Sequence, residues 1–200
     1  MTNDPIIYHD PVSESRTPER GDILVASPFM NEDIFAHSVI LILDAGSAGG
    51  CMGLVLNKRG GLTLQSIFPE LSVLPPIEVY CGGPVGHDRL FMLHSLPEVF
   101  GYIYEVAPGL YVGGETDKII DYVLEGGELQ GKVRFFIGYS GWNDGQLSAE
   151  LHNHAWTMVP PRDIESLISG EGKSFWRHTV ESLGRSYRDW LTVPRDPSLN

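Results

Sequence analysis

The residues best suited to bind a ligand lie in the segment 135–156, FFIGYSGWNDGQLSAELHNHAW. An apolar run rich in strand-forming residues leads into a glycine-rich stretch, and the pattern that follows predicts a helix. A strand–turn–helix corner can direct backbone N–H groups and the positive end of the helix dipole at an anion or a carbonyl group. At such a corner Trp142 would be an exposed stacking wall, and Gln146 and Glu150 would present polar groups on one helix face. Tyr139 is a further predicted ligand contact.

The corner also has a structural interpretation, which its composition favours. Glycines at a tight turn supply backbone conformations with positive φ that other residues rarely adopt. Trp142 would then fill the edge of the core, and Gln146, three residues after Asn143, would cap its own helix with the spacing of a capping box. The two interpretations predict different exposures for Trp142.

A second glycine-rich turn, GGPV at 82–85, follows a predicted strand. Successive glycine N–H groups at a strand end can form a concave anion site, although a tight connection between two strands explains the same residues. The pattern matches neither G-x-G-x-x-G nor a P-loop, so it predicts no nucleotide. If this turn lies beside the corner, the two segments would line one cleft. The further residues that we predict to contact a ligand there are Gly82, Gly83, Pro84 and Asn57.

Cys81 precedes that turn and is followed by His87 and His94, which suggests a different type of site. A thiolate activated by an imidazole, with the backbone amides of Gly82 and Gly83 as oxyanion donors, could act as a nucleophile. A single cysteine in an apolar strand is more commonly a small buried hydrophobic residue. The hydrolase or transferase hypothesis therefore depends on an imidazole lying within hydrogen-bond reach of the thiol.

No metal site and no cofactor are predicted. His152 and His154 are two residues apart, which on a helix separates them by about 200° around the axis. His87 and His94 have no carboxylate-rich set of partners in the sequence that would complete a coordination shell.

The composition indicates one acidic domain. The 200 residues are 42% hydrophobic and 20% charged, which is typical of a globular protein. There are 26 acidic and 14 basic residues, and the resulting net charge of −12 disfavours binding to nucleic-acid backbones.

The expected location is the cytoplasm. Cys51 and Cys81 are too few for a disulfide scaffold, and the acidic start lacks the basic-then-apolar pattern of a signal peptide. No apolar run approaches the about 18 residues that a membrane span requires, so no membrane partner is expected.

The elements that position these residues follow one another irregularly. Hairpins mixed with helices predict an α+β domain with largely antiparallel strands. Strands are predicted at 23–27, 38–43, 51–56, 77–81, 90–94, 102–106, 110–112, 133–139 and 156–159. Helices are predicted at 62–68, at 117–125 with Thr116 as N-cap, after the corner, at 162–169 and at 174–183. We assign 1–20 to an irregular arm, 21–185 to a single domain and 186–200 to a C-terminal tail.

Several segments, taken in order, resemble the YqgE/AlgH family of bacterial proteins. They are 21–28 with Phe35 and 38–40, then 53–57, 80–85, 93–94, 138–142 and 145–151. The resemblance extends over about 21–183. It implies an α+β fold with coiled, partly bifurcated mixed sheets and four to five helices. The family carries a transcriptional-regulator label, and the resemblance brings no recognised DNA-binding motif, catalytic residue or cofactor.

These observations favour a non-enzymatic binding or regulatory domain. Its cleft, near the GGPV and GYSGWNDGQL segments, would take a small anion, a peptide or a partner protein. The alternatives are a Cys/His hydrolase or transferase built on Cys81 and a DNA-binding transcriptional regulator. The sequence leaves the oligomeric state open.

Overall fold

A computed structural model describes residues 16–46, 50–161 and 163–193. Most of the predicted N-terminal arm (1–15), part of the first hairpin loop (47–49), Arg162 and the end of the predicted tail (194–200) lie outside the described residues.

Ten strands form in the described part of the chain, and nine of them match predicted strands. The tenth is β4, in a region where the sequence predicts a helix. The strands are β1 Ile23–Ala26, β2 Val39–Ala45, β3 Cys51–Val55, β4 Arg59–Thr63, β5 Glu78–Cys81, β6 Val85–His94, β7 Tyr104–Ala107, β8 Leu110–Val112, β9 Val133–Trp142 and β10 Trp156–Val159.

The helix predicted at 62–68 is wrong. Its first residues end β4, and only the short 3₁₀-helix Leu64–Ser66 follows. The strand pairs antiparallel with β5 across a register shift between Arg59 and Leu62. A Cβ at Gly60 would lie 2.7 Å from the carbonyl oxygen of Val79, so this glycine is what allows the two backbones to approach so closely.

The strands form one mixed sheet in the order β10-β1-β2-β3-β9-β6-β8-β7, with β4 and β5 branching from β9. The hairpin predicted from 38–43 and 51–56 is present as the antiparallel pair β2–β3. All pairs are antiparallel except β5–β9, which is parallel. The predicted α+β class with a largely antiparallel, bifurcated sheet is therefore confirmed.

The branch point lies in the middle of β9. One edge of β9 pairs with β6. The other edge pairs with β5 over Phe135–Ile137 and then with β3 over Ser140–Trp142. Gly138, with φ 71°, lies where the partner changes, and this left-handed conformation is readily available only to glycine. We call this junction the fork.

Five α-helices and two further 3₁₀-helices complete the described part. The predicted cap at Thr116 is wrong, because the N-cap is Asp117 and its side chain makes no capping hydrogen bond. The α-helices are α1 Pro97–Phe100, α2 Lys118–Leu124, α3 Gln146–His152, α4 Ile164–Ser169 and α5 Gly172–Ser182, and the 3₁₀-helices are Pro69–Val73 and Arg185–Leu191.

Successive side chains of each strand point to opposite faces of the sheet, so a separate core forms on each face. In β1, Ile23 and Val25 face the cluster that includes the buried side chains of α4 and α5, while Leu24 faces the cluster packed on α3. A third cluster lies between β5, β6 and β9 and the helices α1 and α2.

The predicted C-terminal tail begins with an ordered helix. The 3₁₀-helix Arg185–Leu191 packs on α5 through the buried Tyr187, whose ring meets that of Trp190 edge-on at 5.0 Å.

Candidate functional site

The predicted corner is a continuous strand followed by a short turn. Strand β9 runs through Trp142, three residues beyond its predicted end at Tyr139, and the turn occupies only 143–145. The indole of Trp142 is 6% exposed and packs in the α3 cluster. Pairing with β3 draws this end of β9 into the sheet, so Trp142 is a core residue and forms no exposed wall.

The polar groups of the corner bind one another. Glu150 Oε2 accepts hydrogen bonds from the indole N–H groups of Trp142 (2.9 Å) and Trp156 (2.7 Å). Glu150 Oε1 accepts one from Gln146 Nε2 (2.9 Å). Gln146 Oε1 in turn accepts the backbone N–H of Asn143 (3.0 Å), which is one half of the predicted capping box, although Gly145 is the N-cap. These contacts explain Gln146 and Glu150 without a ligand.

The two glycine-rich segments do come together, at the fork. The backbone of Gly82 bridges two strands, since its N–H donates to Ile137 O (2.9 Å) and its carbonyl accepts from Val55 N–H (2.8 Å). A Cβ at Gly83 would overlap the backbone of Tyr139 and Ser140. The backbones therefore fill the space between the segments, and Pro84 and the half-buried Tyr139 lie toward its outside.

Asn57 is a buried structural connector. Its Oδ1 accepts the N–H of Val39 (3.0 Å), and its Nδ2 donates to the carbonyls of His37 (2.9 Å) and Gly172 (2.8 Å). The backbone carbonyl of Asn57 also accepts the N–H of Gly172 (3.0 Å). These bonds join β2, the end of β3 and the start of α5.

No hydrogen bond joins Cys81 to His87 or His94 in the described part of the chain. The Cys81 thiol donates to the carbonyl of Gly83 (3.6 Å). In the sheet, Cys81 and Leu90 both pair with Ile137. His94 lies four residues beyond Leu90, or about 13 Å along the strand. His87 is exposed, and no group of three or more His, Cys, Asp or Glu among the described residues could hold a metal ion.

His94 is fully buried, and both of its ring nitrogens are occupied. Nδ1 accepts the N–H of Leu96 (3.1 Å), so the proton is on Nε2, which donates to the carbonyl of Gly113 (2.8 Å). Burial lowers the pKa of His94, despite the opposing effect of the Gly113 carbonyl. Protonation would also place a proton on Nδ1, facing the Leu96 N–H.

We therefore expect folding stability to fall with decreasing pH below about 6.5, the pKa of histidine in unfolded chains. Below this value the unfolded chain takes up a proton that folded His94 resists, and above it both states are neutral. The contribution has an upper bound of about 1.4 kcal/mol per pH unit. Urea unfolding at pH 7.5, 6.5 and 5.5 should give a smaller pH dependence for His94→Gln than for the wild type. The exposed-site control His152→Gln should keep the wild-type slope, and equal slopes for all three proteins would contradict this role.

A charged cluster that the sequence analysis missed lies beneath the α4–α5 connection. Arg134 in β9 is 6% exposed. Its Nη1 donates to the carbonyls of Leu56 (2.9 Å) and Gly170 (2.6 Å), and its Cζ lies 4.0 Å from the centre of the Tyr80 ring. No carboxylate in the described part of the chain forms an ion pair with this guanidinium. Burial lowers the pKa of Arg134.

Glu171 completes the cluster. Its carboxylate accepts a hydrogen bond from the Tyr80 hydroxyl on Oε1 and one from Arg59 Nη2 (2.8 Å) on Oε2. The hydrogen bond from Tyr80 has the largest effect in lowering the pKa of Glu171, followed by the one from Arg59. Burial, together with the hydrogen bond to Glu171, raises the pKa of Tyr80 to about 12, so the phenol remains a proton donor at neutral pH.

Three residues of the cluster line a cavity of about 490 Å³. The cavity lies where β5 and β9 begin, and Tyr80, Arg134 and Glu171 line it. The rest of its wall is mainly apolar, and includes Leu74, Ile77, Val123, Leu129, Val133 and Ile168. A groove of about 700 Å³ beside α4 and α5 shares Gln130, Ser169 and Glu171 with it.

One sequence signal could have identified Arg134. The segment VRFFI places a single arginine in an otherwise apolar run that is predicted to be a buried strand. A charge in such a position requires partners, because burying it alone is costly. Tyr80 and Glu171 give no comparable signal, since they approach Arg134 only through the fold.

Comparison with known proteins agrees with this architecture. A family model described as AlgH-like matches residues 23–188. This chain belongs to the AlgH-like family. A relative from Parabacteroides distasonis is 39% identical over 184 residues (92% of each chain), and one from Bacteroides thetaiotaomicron is 37% identical over 188 (94% of each). Both are designated UPF0301 proteins, a designation that specifies no reaction.

Two solved structures share the fold of this AlgH-like protein. The solution structure of the AlgH protein from Pseudomonas aeruginosa has a TM-score of 0.64 and 28% identity, over 94% of this chain and 98% of that one. A crystal structure of a protein from Corynebacterium diphtheriae has a TM-score of 0.67 and 22% identity, over 88% and 92% of the two chains. None of the helices described for this protein is long and apolar enough to cross a membrane.

Proposed function

We propose that this AlgH-like protein is a non-enzymatic binding domain that takes a small anionic molecule with an apolar part in the cavity beside Arg134. The observation that carries the proposal is the Arg134 guanidinium, which is buried and lines the cavity, and which among the described residues donates only to backbone carbonyls and forms no ion pair. An anion would supply the opposite charge, and a guanidinium suits carboxylate and phosphate groups in particular.

The dimensions and the mainly apolar wall of the cavity support the same ligand class. Its volume of about 490 Å³ falls in the range of small-molecule sites, and such sites combine apolar walls with a few polar groups. The charged groups at the cavity are balanced, since Arg59 and Arg134 lie close to Glu171, and Glu78 also lines the wall. An anion would therefore be held by direct hydrogen bonds to the Arg134 guanidinium and not by an excess of positive charge around the cavity.

The two alternatives have less support. The Cys81 thiol is hydrogen-bonded to a backbone carbonyl, and both nitrogens of His94 are occupied. The net charge of −12 disfavours DNA. A regulatory role fits the binding proposal if occupation of the cavity is the regulatory signal. Cys51 and Cys81 are both free thiols, which is compatible with a reducing compartment such as the cytoplasm.

The test uses benzoate and phenyl phosphate as probes and benzamide as the uncharged analogue, titrated into ¹⁵N-labelled protein and followed by NMR. We expect both anions, but not benzamide, to shift signals of residues that line the cavity. Arg134→Met should weaken anion binding by about tenfold or more, because charge-assisted hydrogen bonds contribute about 1.5–3 kcal/mol. Arg134→Lys, which keeps the charge, should bind with intermediate affinity.

The matched control is Arg89→Met. Arg89 is exposed and lies over the Tyr139 ring at the fork, with its Cζ 5.7 Å from the ring centre. This variant should bind the probes like the wild type. If Arg89→Met abolishes binding and Arg134→Met, shown by circular dichroism to be folded, does not, the site lies at the fork and the proposal for the cavity is wrong.

A further inference from the structure

Glu171 occupies hydrogen-bond donors that a bound anion could use. Its carboxylate accepts from the Tyr80 hydroxyl and from Arg59, and it lies beside the buried charge of Arg134. We propose, resting on the function proposed above, that the Glu171 carboxylate is an internal competitor for the anion site, and that the carboxylate or phosphate of a ligand displaces it. Glu171 thereby sets the affinity of the cavity.

The backbone around Glu171 is fixed on both sides. The Gly170 carbonyl accepts from Arg134 Nη1 (2.6 Å), and the N–H and carbonyl of Gly172 both bind Asn57. The Glu171 side chain is 43% exposed and makes no capping hydrogen bond to α5, although the residue is the N-cap of that helix. Displacement therefore requires only a rotation of the side chain and leaves α4 and α5 in place.

The structure provides a second position for the displaced carboxylate. Glu171 lines both the cavity of about 490 Å³ and the adjoining groove of about 700 Å³, so there is space on its other side. It also remains at the N-terminus of the eleven-residue helix α5, where the helix dipole stabilises a negative charge. With a carboxylate ligand, the Glu171 carboxylate leaves the two donors and one carboxylate takes its place, so the charge on these donors stays the same.

The experiment compares benzoate and phenyl phosphate binding in the wild type, Glu171→Gln and Glu78→Gln. Glu78 is exposed and lines the same cavity, so its substitution removes an equal charge without freeing Tyr80 or Arg59. We expect Glu171→Gln to bind the probes about tenfold more tightly, since a neutral amide competes less well for charged donors. Glu78→Gln should raise the affinity by less than Glu171→Gln does, because it removes an equal charge near Arg59 but frees no hydrogen-bond donor.

A second readout follows the Arg59 side chain. In the wild type, saturation with benzoate should shift the Arg59 Nε–H signal in the NMR spectrum, because benzoate replaces Glu171 as the carboxylate bound to Arg59. The shift should differ in Glu171→Gln, where Arg59 has no carboxylate partner before benzoate binds. If Glu171→Gln binds benzoate more tightly than the wild type does, but not phenyl phosphate, the ligand group is a carboxylate. If it binds only phenyl phosphate more tightly, the ligand group is a phosphate. Both results support the internal competitor.

The outcomes separate this inference from the proposed function. If neither the wild type nor Glu171→Gln binds either anion, the proposed function is wrong and the inference falls with it. If the wild type binds and Glu171→Gln binds equally or more weakly, the cavity is an anion site but Glu171 is no competitor. Equal gains in Glu171→Gln and Glu78→Gln would also overturn the inference, since they would reflect net charge only.

Discussion

Gly82→Ala should lose about 3 kcal/mol or more of folding stability, which is a large share of the stability of a typical domain. The added methyl group would overlap the carbonyl oxygen of Gly138 and lie 2.6 Å from Leu54 Cδ2. The methyl group could not move away from these contacts, because backbone lies on one side of it and a fully buried leucine on the other. Any shift would also break the bonds from Gly82 to Ile137 and Val55, which hold β5, β9 and β3 together at the fork. Urea unfolding followed by far-ultraviolet circular dichroism measures the loss.

Gly145→Ala is the control for this prediction. Gly145 has φ 70°, but a Cβ there would meet no atom within 4 Å. The cost should therefore be limited to the left-handed backbone conformation, about 1–2 kcal/mol. If Gly82→Ala is no less stable than Gly145→Ala, the close approach of backbones at the fork is not what excludes a side chain at position 82.

Glu150→Ala should destabilise the protein by about 2–4 kcal/mol. The substitution leaves the indole N–H groups of Trp142 and Trp156 without their acceptor, and both side chains are buried. Each buried donor left unsatisfied costs about 1–3 kcal/mol, and the two rings, edge-on at 6.3 Å, also lose the group that orients them. Thermal unfolding, with tryptophan fluorescence as a local probe, would report both effects.

Glu150→Gln is the matched variant. Its amide oxygen can accept both indole N–H groups, but its NH2 group cannot accept the hydrogen bond from Gln146 Nε2. We therefore expect a loss of about 1–2 kcal/mol, from this contact and from exchanging charged for neutral hydrogen bonds. A surface control, Glu181→Ala, should change stability by less than about 0.5 kcal/mol. Equal stability of Glu150→Ala and Glu150→Gln would show that the two indole bonds do not depend on this carboxylate.

These two predictions also separate structure from function in the motifs. The fork and the hydrogen bonds of Glu150 explain the two glycine-rich segments as structural elements. The proposed site at Arg134 lies elsewhere, where β5 and β9 begin. Variants at Gly82 and Glu150 should therefore affect stability first. Variants at Arg134 and Glu171 should change anion affinity at a cost in stability that can be measured separately.

The sequence alone was sufficient for the local elements and the family. Apolar runs such as 38–43 and 133–139 predict strands because a strand buried on both faces needs apolar residues at every position. Helix α5 follows from spacing, since Phe175, Trp176 and Val180 fall on one face of the helix and are buried. The sequence was also sufficient to indicate the family, because each motif is a short run of consecutive residues that can be recognised without knowledge of the fold.

Only the tertiary structure decided which residues meet. Strand β4 is held by pairing with β5, which residues 59–63 do not reveal, because two consecutive glycines favour a turn locally. Trp142 is buried because β9 changes partner at Gly138 and continues along β3. Arg134, Tyr80 and Glu171 are separated by tens of residues and meet through the parallel pairing of β5 with β9 and the position of α5. Burial and contact between distant residues are properties of the whole fold, and no local pattern encodes them.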